Sequence, residues 1–154
     1  MNNTNENKTS DIYLAHVDFE TGRTQSFQEH TDNVTSYAKS ICPMGEIQKL
    51  VEAATLFHDA GKLSDDVQKD FQDILKKGDQ AHRNDLDHST AGGRMLWKMM
   101  RQKTAAELLS TVVYSHHGIS DCIDFESGCT LQERRAEKEC QEDIVKERFF
   151  QIFD

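Results

Sequence analysis

Phe57-His58-Asp59-Ala60-Gly61-Lys62 sets a histidine and an aspartate side by side where an apolar helical pattern stops. The neighbours Leu56, Phe57 and Ala60 are apolar, which puts the pair at the edge of a core rather than on an open surface. An ionised carboxylate in such a place is costly unless it is paired or holds a metal. Four more histidines, His30, His88, His116 and His117, stand on other predicted helices at positions that can converge on it. The stretch predicts a helical bundle whose helix ends meet at a metal, and a metal-dependent phosphoesterase is the first expectation.

The flanking sequence supports the helices. Upstream, Gly45 to Ala60 carries a stripe of Ile47, Leu50, Val51, Ala54 and Phe57, with His58 and Asp59 on its last turn and Gly61 as a stop. Before it, Ser26 and Glu29 form a capping box that starts a helix. His30 then heads an inward stripe of Val34, Tyr37, Ala38 and Ile41, and Pro43 ends the helix by forcing Cys42 out of the α region. Asp11 to Val17, which contains His16, reads as an irregular arm or brief strand, followed by a turn at Glu20 to Arg23.

Downstream, Ser64-Asp65-Asp66 opens a helix with an inner face of Val67, Phe71, Ile74 and Leu75, closing near Gly78. Residues 78 to 87 form a polar loop. The next helix begins at Asp87-His88-Ser89, with His88, Ala91, Gly92, Met95, Leu96 and Met99 on one face. Its small residues Ala91, Gly92 and Gly93 let another backbone come close. A helix over Thr104 to His117 carries Leu108, Leu109, Val112 and Val113 and ends at His116-His117-Gly118. Gly128 and Thr130 mark a turn. The last segment, Leu131 to Phe153, keeps Ile144, Val145, Phe149 and Ile152 at helical spacing, and its run from Glu133 to Glu139 reads as a solvated face laced by i,i+4 ion pairs.

A length of 154 residues suits one domain with a single core, and one proline leaves long stretches free to be helix. No apolar run reaches the length of a membrane span. Met1 to Ser10 is polar and reads as a disordered tail rather than a secretory signal, so the domain is expected over residues 11–154. Cys42, Cys122, Cys129 and Cys140 show no paired spacing and read as free thiols of a cytoplasmic protein. The formal net charge of −9 argues against a domain that grips nucleic acid tightly by its own surface. It leaves a nuclease open, because bound divalent cations reverse the local field and a partner can deliver the strand.

Imidazole and carboxylate donors suit first-row divalent metals. His30, His58, Asp59, His88, His116 and His117 exceed the three or four protein ligands of one catalytic ion, so a carboxylate bridging two ions is the natural arrangement. Two ions about 3.5–4 Å apart can clamp a phosphodiester and activate a water. Lys62 follows His58 by four residues and is placed to neutralise a phosphate or assist a leaving group. His16 is set aside as a capping or core histidine, and His82 as a solvated loop residue.

Taken together, Leu14-Ala15-His16, Gln25-Ser26-Phe27-Gln28-Glu29-His30, Leu56-Phe57-His58-Asp59-Ala60-Gly61-Lys62, Phe71-Gln72, Asp87-His88-Ser89-Thr90-Ala91-Gly92 and Ser115-His116-His117-Gly118 carry a family likeness over residues 11 to 121. The sequence resembles the HD superfamily of metal-dependent phosphohydrolases. Within it, the likeness is to the HD nuclease domain of the CRISPR-associated nuclease-helicase of type I systems. The resemblance implies an all-α HD-domain helical bundle in which His30, His58 and Asp59 hold one ion. Asp59, His88, His116 and His117 hold the second, Asp59 bridges, and Lys62 is the lysine beside the site. It implies cleavage of single-stranded DNA assisted by manganese, nickel, magnesium or a related ion. A helicase domain or subunit feeds the strand, and an RNA-guided surveillance complex recruits it.

One element of the family pattern is missing. It adds a late aspartate to the first ion, and no matching motif follows His117. Asp121 and Asp124 come too soon, Asp143 stands in a charged helix, and Asp154 ends the sequence. The chain is also short for such a domain, which reads as a truncated piece of a larger protein. Unequal occupancy is therefore expected, with a weaker ion near His30. The alternatives are an HD phosphohydrolase acting on nucleotides or a cyclic dinucleotide, and a non-catalytic helical module with an incomplete site. A missing Gly-Tyr-Pro signature counts against the cyclic-dinucleotide branch.

Overall fold

Hydroxyl side chains start two of the helices in the computed structural model, which describes residues 13–42, 45–78, 86–122 and 130–154. Expectations for the tail 1–10, for His82 and most of its loop, for Asp124 and for the turn at Gly128 lie outside those residues. Ser26 Oγ accepts the Glu29 N–H at 3.1 Å and opens α1 (Phe27–Ile41). Ser64 Oγ accepts the Val67 N–H at 3.4 Å and opens α3 (Asp65–Lys77). Cys42 leaves the helical region at φ −115° and ψ 85°, as the residue before a proline must.

Ahead of α1, β1 (Leu14–Val17) and β2 (Thr24–Ser26) pair antiparallel, with His16 opposite Gln25. The brief strand is thus half of a hairpin. Asp18 Oδ1 accepts the N–H groups of Glu20 and Thr21 at 2.9 and 3.2 Å in the connecting turn, and Gly22 supplies φ +67°.

α2 (Gly45–Phe57) stops short of the expected Ala60. His58 and Asp59 sit in the turn beyond it, and Ala60–Leu63 form a single 3₁₀ turn. Gly61 is therefore not a helix stop. Its N–H donates to the His88 carbonyl at 3.0 Å, and a Cβ there would fall 2.2 Å from that oxygen. The glycine joins two site-bearing segments by letting backbone touch backbone.

α4 (Ser89–Met99) is the central helix, buried on every side from Ser89 to Leu96. The predicted close approach occurs at Gly92, where a Cβ would lie 2.1 Å from the Phe57 carbonyl oxygen at the end of α2. α5 (Lys103–Tyr114) ends before His116 and His117, which occupy the following turn. α6 (Leu131–Ala136) and α7 (Glu142–Phe153) divide what the sequence reads as one segment. Val145 and Phe149 of α7 enter the core, where Phe149 stacks on Phe57 at 4.6 Å between centroids. Arg148 Nη1 donates to the Leu63 carbonyl at 2.6 Å, so α7 braces the 3₁₀ turn. Among the described residues no helix is long and apolar enough to cross a membrane, and Cys42, Cys122 and Cys140 form no disulfide.

Several expected inward residues face out. Tyr37 and Ile41 are 69 and 64% exposed, and Ile47, Leu75, Met99, Leu108 and Val112 are exposed too. On α1 the inner face runs instead through Phe27, Thr31 and Ala38. Thr35, one turn further, meets Thr55 of α2 hydroxyl to hydroxyl at 3.0 Å. Polar residues that pair across helices take places which a stripe drawn from apolar types alone gives to their neighbours.

The run from Glu133 to Glu139 keeps Glu133, Ala136, Glu137 and Glu139 exposed, but its cations pair across the fold rather than within the helix. Buried Arg94 donates to the Arg134 carbonyl at 3.1 and 2.6 Å and to the Lys138 carbonyl at 2.7 Å, which pins the segment to α4. Arg134 and Lys138 both pair with Asp87, and Arg135 covers the Trp97 ring at 3.9 Å. Asp87 supplies the cap that His88 does not. Its Oδ1 accepts the N–H groups of Ser89 and Thr90, each at 3.0 Å, and Oδ2 accepts the Thr90 hydroxyl at 2.6 Å. Burial pushes the Asp87 carboxyl up, but Lys138 and Thr90 outweigh it and hold it well below the ordinary range. A carboxylate depressed in the folded state contributes stability above its unfolded pKa of about 3.9 and loses it as pH falls further. Asp87→Ala is thus expected to cost about 2–3 kcal/mol at neutral pH, from the lost cap and charged hydrogen bonds. Urea titrations should show the gap from wild type opening to its full size above about pH 5 and narrowing steadily as pH falls below about 4 toward the depressed folded value. A gap that stays constant would remove the ionised carboxylate from the account.

Candidate metal centre

Asp59 is 3% exposed and its two oxygens face different histidines. Oδ2 lies 2.9 Å from His30 Nε2 and 3.2 Å from His58 Nε2. Oδ1 lies 3.4 Å from His88 Nε2 and 3.2 Å from His116 Nε2. His117 joins the second group, its Nε2 2.5 Å from that of His88. The first histidine comes from α1, the pair from the turn after α2, the next from the start of α4, and the last two from the turn after α5. Four separate segments thus converge on one carboxylate.

The imidazoles are held for ligation. His58 Nδ1 lies 2.6 Å from the Thr55 carbonyl, His88 Nδ1 3.1 Å from that of Leu86, and His116 Nδ1 2.7 Å from that of Val113. A carbonyl only accepts, so each Nδ1 carries a proton, and in the neutral ring Nε2 keeps a lone pair for an ion beside Asp59, whereas the protonated ring donates there to the carboxylate. His30 and His58 Nε2 are 3.1 Å apart, near enough to share one ion. Asp59 Oδ1 and His116 Nε2 are both buried without a hydrogen-bond partner. Donors adjacent on an ion at about 2.1 Å are themselves about 3.0–3.4 Å apart, the spacing seen here. The donor set therefore fits a divalent metal.

Charge supports the arrangement. Burial pushes the Asp59 carboxyl upward, but His116, His30 and His58, with Lys62 behind them, hold it ionised far below the ordinary range. Lys62 Nζ, on a residue only 7% exposed, sits 2.8 Å from Asp59 Oδ2. The 3₁₀ turn, rather than a continued helix, brings it there. Burial lowers the His88 pKa against the pull of Asp59. For His116 burial acts in the same sense, but Asp59 and the Val113 carbonyl prevail and its pKa rises.

Among the described residues no late acidic residue joins either donor group. Asp143 is exposed on α7 and belongs to neither donor group among the described residues. Instead a residue that the sequence reading sets aside comes close. A donor nitrogen of His16, a nitrogen of His30 and an oxygen of Asp59 lie within 4.8 Å of one another. The His16 ring meets that of His30 edge-on at 4.5 Å between centroids. The residue is exposed on its outer side, and partial desolvation of the ring, with Lys62 and His30 nearby, lowers its pKa to about 4. The available signal was the Ser26 cap, which ties the hairpin to the start of the helix bearing His30.

A cavity of about 430 Å³ opens beside His88 and His117, lined also by Ser89, Arg134 and Lys138. A larger one of about 620 Å³, between Ser64, Arg94 and Lys138, includes none of the histidines.

Ligand that binds only the folded chain adds RT ln(1 + [L]/Kd), about 2.7 kcal/mol at a hundredfold excess over Kd. For a domain of this size manganese should then raise Tm by about 5–10 °C at pH 7.5. At pH 5.5 the rise should largely vanish, because protons compete for the imidazoles. Thermal melts at the two pH values check this, and an equal rise at both would point away from histidine ligands.

The family model described as Cas3, HD domain matches residues 22–152 of the chain. The match takes in α6 and α7, which lie beyond the stretch covered by the sequence motifs. No curated protein and no solved structure matches the chain.

Proposed function

The chain belongs to the Cas3 HD domain family, the metal-dependent nuclease domains of type I CRISPR systems, and we propose that it cleaves single-stranded DNA using two ions bridged by Asp59. The observation that carries this reading is the division of the carboxylate, with Oδ2 toward His30 and His58 and Oδ1 toward His88 and His116. His30, His58 and Asp59 hold one ion; Asp59, His88, His116 and His117 hold the other. Manganese, nickel, magnesium or a related ion would supply the Lewis acidity that activates water and neutralises the phosphodiester.

The protein's part is preorganisation. The Thr55, Leu86 and Val113 carbonyls fix three imidazoles in the ligating tautomer, so little rearrangement is needed at the reaction. Lys62 keeps Asp59 ionised and in place. Arg134 and Lys138 offer cationic groups to strand phosphates in the adjoining cavity. With a net charge of −9 the domain holds DNA weakly by itself. A helicase domain or subunit, recruited by an RNA-guided surveillance complex in the cytoplasm, delivers the strand.

Labelled single-stranded DNA and a panel of nucleotides, each incubated with manganese and with chelator, test the proposal. Metal-dependent fragmentation of the DNA supports it. Turnover of nucleotides alone would assign the chain to the nucleotide-hydrolysing branch of the superfamily.

A further inference from the structure

We propose that His16 is a protein ligand of the ion between His30, His58 and Asp59, completing a set of three imidazoles and one carboxylate. The inference rests on the two-ion reading above and concerns a residue which that reading does not use.

Donors on opposite sides of an ion at about 2.1 Å stand about 4.2 Å apart. The donor atoms of His16, His30 and Asp59 all fall within 4.8 Å of one another, so that one ion can stand among them. His58 Nε2 lies on the other flank, 3.1 Å from His30 Nε2 and 3.2 Å from Asp59 Oδ2. His30 and Asp59 thus belong to the group that holds His16 and also adjoin His58.

The placement of His16 is enforced from several directions. Alternation along β1 sends Ala15 into the core, fully buried, and His16 to the other face. Gln68 of α3 grips the strand, with Oε1 accepting the Leu14 N–H at 3.0 Å and Nε2 donating to the Leu14 carbonyl at 2.8 Å. The same Nε2 donates to the Lys62 carbonyl at 2.7 Å. One side chain thus ties the strand bearing His16 directly to the turn bearing Asp59 and Lys62. The Phe27 N–H, donating to the Tyr13 carbonyl at 2.7 Å, ties the strand to α1 and so to His30. A histidine without a role at the centre would not need its strand registered against both ligand-bearing segments.

The sequence reading expects a weak ion near His30 for want of a fourth donor. His16 removes that deficit, so two sites of comparable affinity are expected. Calorimetric titration of the full chain with manganese should show two bound ions. His16→Ala should weaken one of them at least about tenfold and leave the other unchanged, while His16→Asp, which restores a donor, should recover most of the loss. A His16→Ala isotherm identical to wild type overturns the inference and leaves the two-ion reading intact. Equal loss in both variants, with a lowered Tm before metal is added, would assign His16 to the fold and overturn it as well. Wild-type protein that binds no manganese would defeat the two-ion reading itself, before any variant is made.

Discussion

Asp59→Asn is expected to reduce metal-dependent cleavage by about 10³-fold or more while the helices stay folded. The amide keeps the volume of the side chain and can still accept from Lys62, but it carries no charge. Both proposed ions lose their shared anionic donor at once. Metal charge stabilisation is worth several kcal/mol, and a loss of about 4 kcal/mol is about a thousandfold in rate. The structural cost is smaller. Lys62 stays buried beside a neutral acceptor, so the ion pair becomes a weaker hydrogen bond at a cost of about 1–2 kcal/mol. Asn is the better probe than Ala, because Ala would strand the Lys62 ammonium altogether. Cleavage rates, manganese titration and far-ultraviolet circular dichroism on the same preparation check the expectation. Retained cleavage in a folded variant would sink the bridging role.

The second large effect is expected at Gly61, which contributes no functional group. Its added methyl in Gly61→Ala would meet the His88 carbonyl oxygen at 2.2 Å, and that atom is backbone, unable to swing aside. The 3₁₀ turn and the start of α4 must separate, stretching the 3.0 Å bond from the Gly61 N–H to the same oxygen. Overpacking of this kind costs about 3 kcal/mol, or about 6–12 °C in Tm for a domain of this size. The separation also pulls His88 from Asp59, so manganese affinity should fall along with stability. Gly45→Ala is the control. Nothing lies within 4 Å of a Cβ there, and the residue opens α2. It should be neutral within about 0.5 kcal/mol. A Gly61→Ala protein with wild-type melting and metal binding would show that the two segments are not held in register as described.

These two sites also mark what the sequence could reveal. The gathering of histidines on Asp59 was legible because a carboxylate among apolar neighbours demands partners and those histidines stand at ends of periodic segments, whereas the 3₁₀ turn and the contact made by Gly61 were not. Caps at Ser26 and Ser64 were legible because the donor and acceptor are three residues apart. Gly92 was legible because only a backbone approach explains a glycine in a central helix. What escaped depends on partners far along the chain. Arg94 reaches the carbonyls of Arg134 and Lys138, and no local window links them. Leu108 and Val112 are apolar, yet the face of α5 that meets α4 and the core runs through Ala106, Leu109 and Val113. His16 looked like a lone histidine because its neighbour, His30, is fourteen positions away across a turn whose pairing the sequence did not disclose.

The bracing of the 3₁₀ turn by α7 has a consequence for the order in which the protein is made. By the time Gly118 has left the ribosome, every histidine and the aspartate of the centre have been synthesised. The turn that orients Asp59 still lacks its support, because Arg148 and Phe149, which hold Leu63 and cover Phe57, come later. A growing chain therefore carries all the donors before it has the rigid frame that aims them. The centre is thus complete in composition before it is complete in geometry, and α7 supplies the difference.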